Sequence, residues 1–148
     1  RANGGNMDDP SLVEGTTVYF PVFVKGALFS IGDGHAVQGY GEVCGSAIEA
    51  PMTFTYRVRV IKDKPAIKEP QYETDDYYAV TGFGETIDIA TKKAVNYMID
   101  HLSNNYDISE EDAYMLCSLA GDLKIAEVVD VPNMLVTMHF PKSILNQL

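Results

Sequence analysis

Met52-Thr53-Phe54-Thr55-Tyr56-Arg57-Val58-Arg59-Val60 alternates apolar and polar side chains without a break. Successive side chains of a strand point to opposite faces, so this pattern predicts a β-strand with one buried face and one wet face. It is the cleanest periodic signal in the chain, and its neighbours read the same way. Upstream, residues 16–24 are largely β-branched or aromatic with Pro21 among them, which predicts a strand with a bulge or edge position at the proline. Residues 27–31 predict a short apolar strand and residues 43–50 another. Downstream, residues 62–70 are charge-rich with two prolines and read as a connection, and residues 71–74 and 77–82 predict two strands joined by Asp75-Asp76.

The period changes after Phe83-Gly84. Ala94, Met98 and Leu102 fall on one stripe beside Val95 and Ile99, which predicts an amphipathic helix over residues 87–102, ended by Asn104-Asn105. Ser109 followed by Glu110, Glu111 and Asp112 is a helix start, because its side chain can cap and the acids complement the helix dipole. Ala113, Leu116, Cys117 and Ala120 form the inner stripe of this second helix, with Gly121 as its stop. Residues 123–131 and 134–140 predict closing strands around a Pro132-Asn133 turn. Strands, then helices, then strands describe an α+β fold of mostly antiparallel, sandwich-like sheets with two helices in the C-terminal half. Residues 1–148 read as a single domain.

The bulk properties bound the function. At 148 residues, 46% hydrophobic and 22% charged, the chain has the composition of a globular domain. A formal net charge of -10 argues against nucleic-acid and anionic-membrane partners, which require a clustered basic surface. Cys44 and Cys117 fit neither a disulfide framework nor a paired metal motif, which favours a reducing compartment, read here as cytoplasmic. A redox role for the two is disfavoured because neither has a basic neighbour to lower its thiol pKa. His101 is expected in the last turn of a helix as a dipole-compensating cation, and His139 in a strand.

The chemistry concentrates in Gly32-Asp33-Gly34-His35-Ala36-Val37-Gln38-Gly39-Tyr40-Gly41-Glu42. If Asp33 to His35 is extended, the two side chains share a face, and the glycines before Glu42 let the loop fold back toward them. One histidine and two carboxylates supply most of a divalent-metal site with room for water. The alternative is a tight connection in which Asp33 and Glu42 cap turns and His35 meets a backbone carbonyl. Asn6 and Asp8 sit either at a pocket lip or in an Asx turn. Glu49, at a strand end, is a supporting partner of the site or simply exposed.

Gly4-Gly5-Asn6-Met7-Asp8, then residues 26–36, Gln38-Gly39, Gly41-Glu42-Val43 and Ala47-Ile48-Glu49, resemble in order and spacing the acetamidase/formamidase family. Glu111-Asp112-Ala113-Tyr114, residues 118–125, Val128-Val129-Asp130 and Pro141-Lys142-Ser143-Ile144 are similar to its closing segments. The resemblance implies metal-dependent hydrolysis of short aliphatic amides to acid and ammonia. It implies Glu42, Asp33 and His35 as catalytic residues, Asn6, Gln38 and Gly34 as substrate-binding residues, and Asp33, His35 and Asp8 as metal ligands. The expected metal is zinc, with calcium as a second candidate. Tyr40 stands where the family often has an acidic residue. Because the chain opens in motif-like residues, it is expected to be the C-terminal part of a longer polypeptide. The expected partners are a small amide and either further copies of the chain or the N-terminal portion of the family. The competing expectation is an incomplete fragment acting as a structural or binding module.

Overall fold

The computed structural model describes all residues 1–148. Its core lies in the second half of the chain. A five-stranded antiparallel sheet runs β1-β4-β5-β7-β6, formed by β1 (Thr17–Tyr19), β4 (Gln71–Glu73), β5 (Tyr77–Gly84), β6 (Asp122–Glu127) and β7 (Met134–Pro141). A second, two-stranded antiparallel sheet pairs β2 (His35–Val37) with β3 (Ile48–Glu49). The helices are α1 (Ile87–Asn105), α2 (Glu110–Ala120) and the single turn α3 (Lys142–Leu145). The α+β class, the antiparallel pairing and the placing of the helices in the C-terminal half are as the sequence predicts.

Local chemistry sets the helix ends. The Thr86 hydroxyl accepts from Ile89 N at 3.3 Å, and the Ser109 hydroxyl accepts from Asp112 N at 3.0 Å. The apolar stripe of α1, Ala90, Ala94, Met98 and Leu102, is buried against Val80, Val136, Met138 and Phe140 on one face of the sheet. Gly82 permits that close approach, since a Cβ there would stand 2.2 Å from Ala90 O.

The opposite face of the same strands carries Tyr72, Thr81, Thr137 and His139, all buried. It is covered by the N-terminal segment. Tyr72 donates its hydroxyl hydrogen to Asp9 Oδ2 at 2.5 Å and lies 2.9 Å from His139 Nε2, which is 3.0 Å from Thr137 Oγ1. Beside this string Met7 packs on Phe83, Ala126 and Leu135. The chain therefore has three layers: helices, sheet, and a loop-rich layer that bears the chemistry.

Several predicted strands are absent, and the reason is the same each time. Residues 52–60 and 27–31 form no strand, and residues 43–50 contribute only Ile48–Glu49. No hydrogen bond between main-chain groups reaches residues 51–69. A strand exists only with a neighbour to bond, and alternation does not supply one. The strand predicted over 16–24 stops before Pro21, which cannot donate to a ladder. His35–Val37, read as loop, pairs with β3. His101 is no dipole-compensating cation: its ring stacks on Tyr78 at 3.8 Å and 11°, and burial lowers its pKa to about 4. Cys117 is buried in the helical core, where burial raises its thiol pKa to about 11. Cys44 is exposed and both thiols are free. No helix is long and apolar enough to cross a membrane.

Candidate active site

Two main-chain clips build the site. Gly41 N donates to Ala126 O at 2.9 Å and Val128 N donates to Gly41 O at 3.0 Å, which pins the glycine loop to the end of β6. Gly41 has φ +93°, a left-handed conformation that suits glycine. The N-terminal segment is clipped in turn, because Asp8 N donates to Glu127 Oε2 at 3.0 Å and Gln38 Nε2 donates to Asp8 O at 2.6 Å. Asp33 at φ +62° and Glu42 at φ +43° are left-handed without being glycine. Such strain persists where the surroundings over-determine it, and it clusters at functional positions.

The clips assemble two groups of donors. In the first, His35 Nε2 lies 3.4 Å from Asp33 Oδ1 and 3.2 Å from Glu49 Oε2. His35 Nδ1 is 2.9 Å from Gln38 Oε1. Since the Gln38 amide nitrogen is committed to Asp8 O, its oxygen accepts and His35 Nδ1 carries the hydrogen. Nε2 of the neutral ring would then present a lone pair to two carboxylate oxygens, which is repulsive. Either a proton or a metal ion must fill that position. Consistent with this, the hydrogen bond to Gln38 and the charges of Glu49, Asp33 and Asp8 raise the His35 pKa against a smaller desolvation. Asp33, His35 and Glu49 offer ligand atoms within 4.8 Å of one another.

The second group is carboxylate-only. Asp8, Glu127 and Asp130 likewise present oxygens within 4.8 Å of one another. Asn6 Nδ2 donates to Asp130 Oδ2 at 2.6 Å. Glu42 is buried beside Asp8. Its pKa is raised by burial first and then by repulsion from Asp8 and Asp130. Burial pushes Glu127 up to about 8, helped by the negative charge of Asp130 and Asp8 and opposed by its bond from Asp8 N. Burial likewise raises Asp8, again with Asp33 and Asp130 adding to the rise. So many carboxylates around one point are stable only when shared protons or a cation offset their repulsion. Gln38 bridges the two groups.

Of the residues singled out in sequence, Asp33 and His35 come together with Glu49. Asp8, Asn6 and Glu42 gather instead around Glu127 and Asp130. Gln38 has both amide atoms engaged within the protein. Gly34 lies in the floor of an open cleft of about 490 Å³ with Asp33, Glu49, Met52 and Phe54 along its walls. The Tyr40 hydroxyl lies 2.7 Å from Ser11 Oγ and 3.3 Å from Lys124 Nζ. Glu127 and the role of Asp130 were missed in the sequence reading. The available signal was a carboxylate between Ala126 and Val128 at the end of a strand, a place where an unpaired charge is costly.

A family model described as the Acetamidase/Formamidase family matches residues 1–147. The chain is 32% identical to the formamidase of Methylophilus methylotrophus over 97% of its own length and 40% of that relative's. A solved structure described as a predicted acetamidase/formamidase from Thermoanaerobacter tengcongensis superposes with TM-score 0.86 at 36% identity, covering 97% of this chain and 47% of that one. An acetamidase from Yersinia enterocolitica superposes with TM-score 0.85 at 31% identity, covering 96% of this chain and 42% of that one. The chain thus spans about two-fifths of the length of the curated formamidase it matches, and less than half of either solved chain.

Proposed function

From the premise that the chain belongs to the acetamidase/formamidase family, we propose that its cleft takes part in hydrolysing short aliphatic amides, such as formamide or acetamide, to the acid and ammonia. The observation that carries the reading is His35, whose Nδ1–H is committed to Gln38 while Nε2 faces Asp33 and Glu49. That donor set fits zinc, which accepts imidazole and carboxylate ligands and keeps an open position in catalytic sites. The oxygens of Asp8, Glu127 and Asp130 fit a harder cation such as calcium. When bound, a divalent metal supplies Lewis acidity, polarising a carbonyl and making water nucleophilic near neutral pH.

The remaining work falls to groups of this chain. Glu42, buried and with its affinity for protons raised, takes a proton from the attacking water and returns it to the departing nitrogen. The main-chain N–H groups of Asp33 and Gly34 carry no intramolecular hydrogen bond and are free to stabilise the developing oxyanion. Asn6 spends its amide nitrogen on Asp130 and Asp8, leaving its oxygen to accept from a substrate amide. Gln38 positions His35 and the Asp8 main chain. The two free thiols suit a reducing, cytoplasmic setting.

A second reading, a non-catalytic binding module, is favoured by the openness of the cleft. Metal content by mass spectrometry and ammonia release from formamide and acetamide separate the two. The hydrolase reading expects bound divalent metal that His35→Ala loses, and a Glu42→Gln variant that keeps the metal while turnover falls about 10²–10⁴-fold. Metal-free and inactive protein, or Glu42→Gln at full turnover, would overturn it.

A further inference from the structure

Every hydrogen bond between main-chain groups made by residues 1–16 is local: Gly4 N to Arg1 O, Asp9 N to Met7 O, Leu12 N to Asp9 O, Val13 N to Ser11 O and Thr16 N to Val13 O. The segment that carries Asn6 and Asp8 is therefore held to the rest of the protein through side chains. Asn6 reaches Asp130, Asp8 N reaches Glu127, Gln38 reaches Asp8 O, and Ser11 Oγ meets the Tyr40 hydroxyl. Of the bonds that tie this segment to the sheet, the one from the Tyr72 hydroxyl to Asp9 Oδ2 joins two buried residues. A hydrogen bond to a charged acceptor is among the stronger kinds, and a buried carboxylate that loses a donor bears its full desolvation cost.

Tyr72 is suited to be the fixed end of that bond. It lies in β4, is fully buried, and its ring is set edge-on to Tyr77 at 6.3 Å and to His139 at 5.7 Å. Asp9 is suited to transmit it. Its second oxygen accepts from Ser11 N at 2.9 Å, so both oxygens are engaged, and the residue before it is Asp8. The two neighbouring acids face different places: Asp9 meets the sheet, while Asp8 gathers with Glu127 and Asp130. We propose that Tyr72, which hydrogen-bonds none of the ligand residues, is a positioning residue for the carboxylate group. Through Asp9 it fixes the main chain at Asp8, and with it the closeness of Asp8 to Glu127 and Asp130 and their joint affinity for a divalent cation. This rests on the reading of those three residues as a cation site. It leaves Asp33, His35 and Glu49 alone, because they are arranged by the β2–β3 ladder.

The test compares the 148-residue chain with Tyr72→Phe, which removes one oxygen and keeps the ring. In the metal-free proteins the Asp8 amide should exchange about tenfold faster in the variant, and its proton resonance should move upfield as its bond to Glu127 weakens. Calcium affinity, read by calorimetry with the metal alone, should fall about 10–100-fold, the usual cost of losing a partner that orients a metal ligand. Zinc binding that depends on His35 should not change. Met98→Ala, which truncates the core on the helix face, should lower stability and leave calcium affinity as it is. Coupling is reciprocal, so in the native chain calcium should slow exchange of the Ser11 amide about tenfold, a measurement that stands even if Tyr72→Phe does not fold. An unmoved Asp8 amide, an unchanged calcium affinity or a Ser11 amide indifferent to bound calcium would overturn the proposal and leave the cation reading in place. Loss of calcium and zinc affinity together in Tyr72→Phe, or an equal loss of calcium affinity in Met98→Ala, would show general loosening and overturn it as well. A native chain that binds no calcium would overturn the cation reading and the proposal with it.

Discussion

β7 and residues 52–60 are built from similar side chains and meet opposite fates. The first, Met134–Pro141, is bonded on one side to β5 and on the other to β6, and even its polar members Thr137 and His139 are buried. The second has the more regular alternation and stands in solvent with no main-chain partner. The difference lies in the neighbours. β7 is reached by a strand that precedes α1 and by one that follows α2, so the helical hairpin that packs on the sheet also brings its partners into register. Nothing within residues 1–148 performs that service for residues 52–60. Periodicity therefore reports how a segment would use its two faces, while pairing reports what else the fold places alongside.

The sharpest way to break this comparison is to make one chemical change in both segments. Phe140→Ala removes a fully buried ring and should cost about 3–5 kcal/mol in urea unfolding, whereas Phe54→Ala should stay within about 0.5 kcal/mol. Similar costs would mean that residues 52–60 are paired after all.

A smaller effect follows from the buried histidines. Burial lowers His139 to about 3 and His101 to about 4, and His139 Nδ1 has no hydrogen-bond partner. Below pH 6.5 the unfolded chain takes up protons that the folded chain refuses, so stability falls as pH drops from 6.5 toward 4. The expected loss is about 2–4 kcal/mol, after discounting for the solvent that still reaches His101. A flat denaturation profile across that window would show that both rings accept protons in place.

Glu127 acts with the opposite sign. Its folded pKa of about 8 lies above the ordinary carboxylate value, so its contribution is fully present below pH 4.5 and is lost as pH rises toward 8. In metal-free protein, Glu127→Gln should therefore gain on the native chain by about 1–3 kcal/mol between pH 4.5 and 8. A constant difference between the two would show that the carboxylate is ionised throughout, with the crowding around Asp8 and Asp130 relieved in some other way.

Much was legible wherever the cause is local. Ser109 caps from its own side chain, the α1 stripe follows from helical spacing, and β7 follows from its composition. The glycine loop announced itself because carboxylates, an imidazole, an amide and four glycines crowd one stretch, and the family resemblance pointed to the same residues. His101 was misread because its environment is made by Tyr78, which is distant in sequence. Glu127 was passed over because Asp8, whose main-chain N–H it accepts, is remote in sequence, and the proximity of Asp130 three residues on does not by itself say that the two carboxylates face one point.

The sequence by itself determined the α+β class, the two long helices, the family and the loop that bears Asp33, His35 and Glu42, since each depends on residues within one or two turns of one another or on an ordered motif. Only the tertiary structure decided that His35 faces Glu49 across a two-stranded ladder, that Asp8 joins Glu127 and Asp130, and that the most strand-like stretch of all is left without a strand to join. Those outcomes depend on hydrogen bonds between remote segments, and a hydrogen bond needs a partner that no stretch of sequence carries for itself.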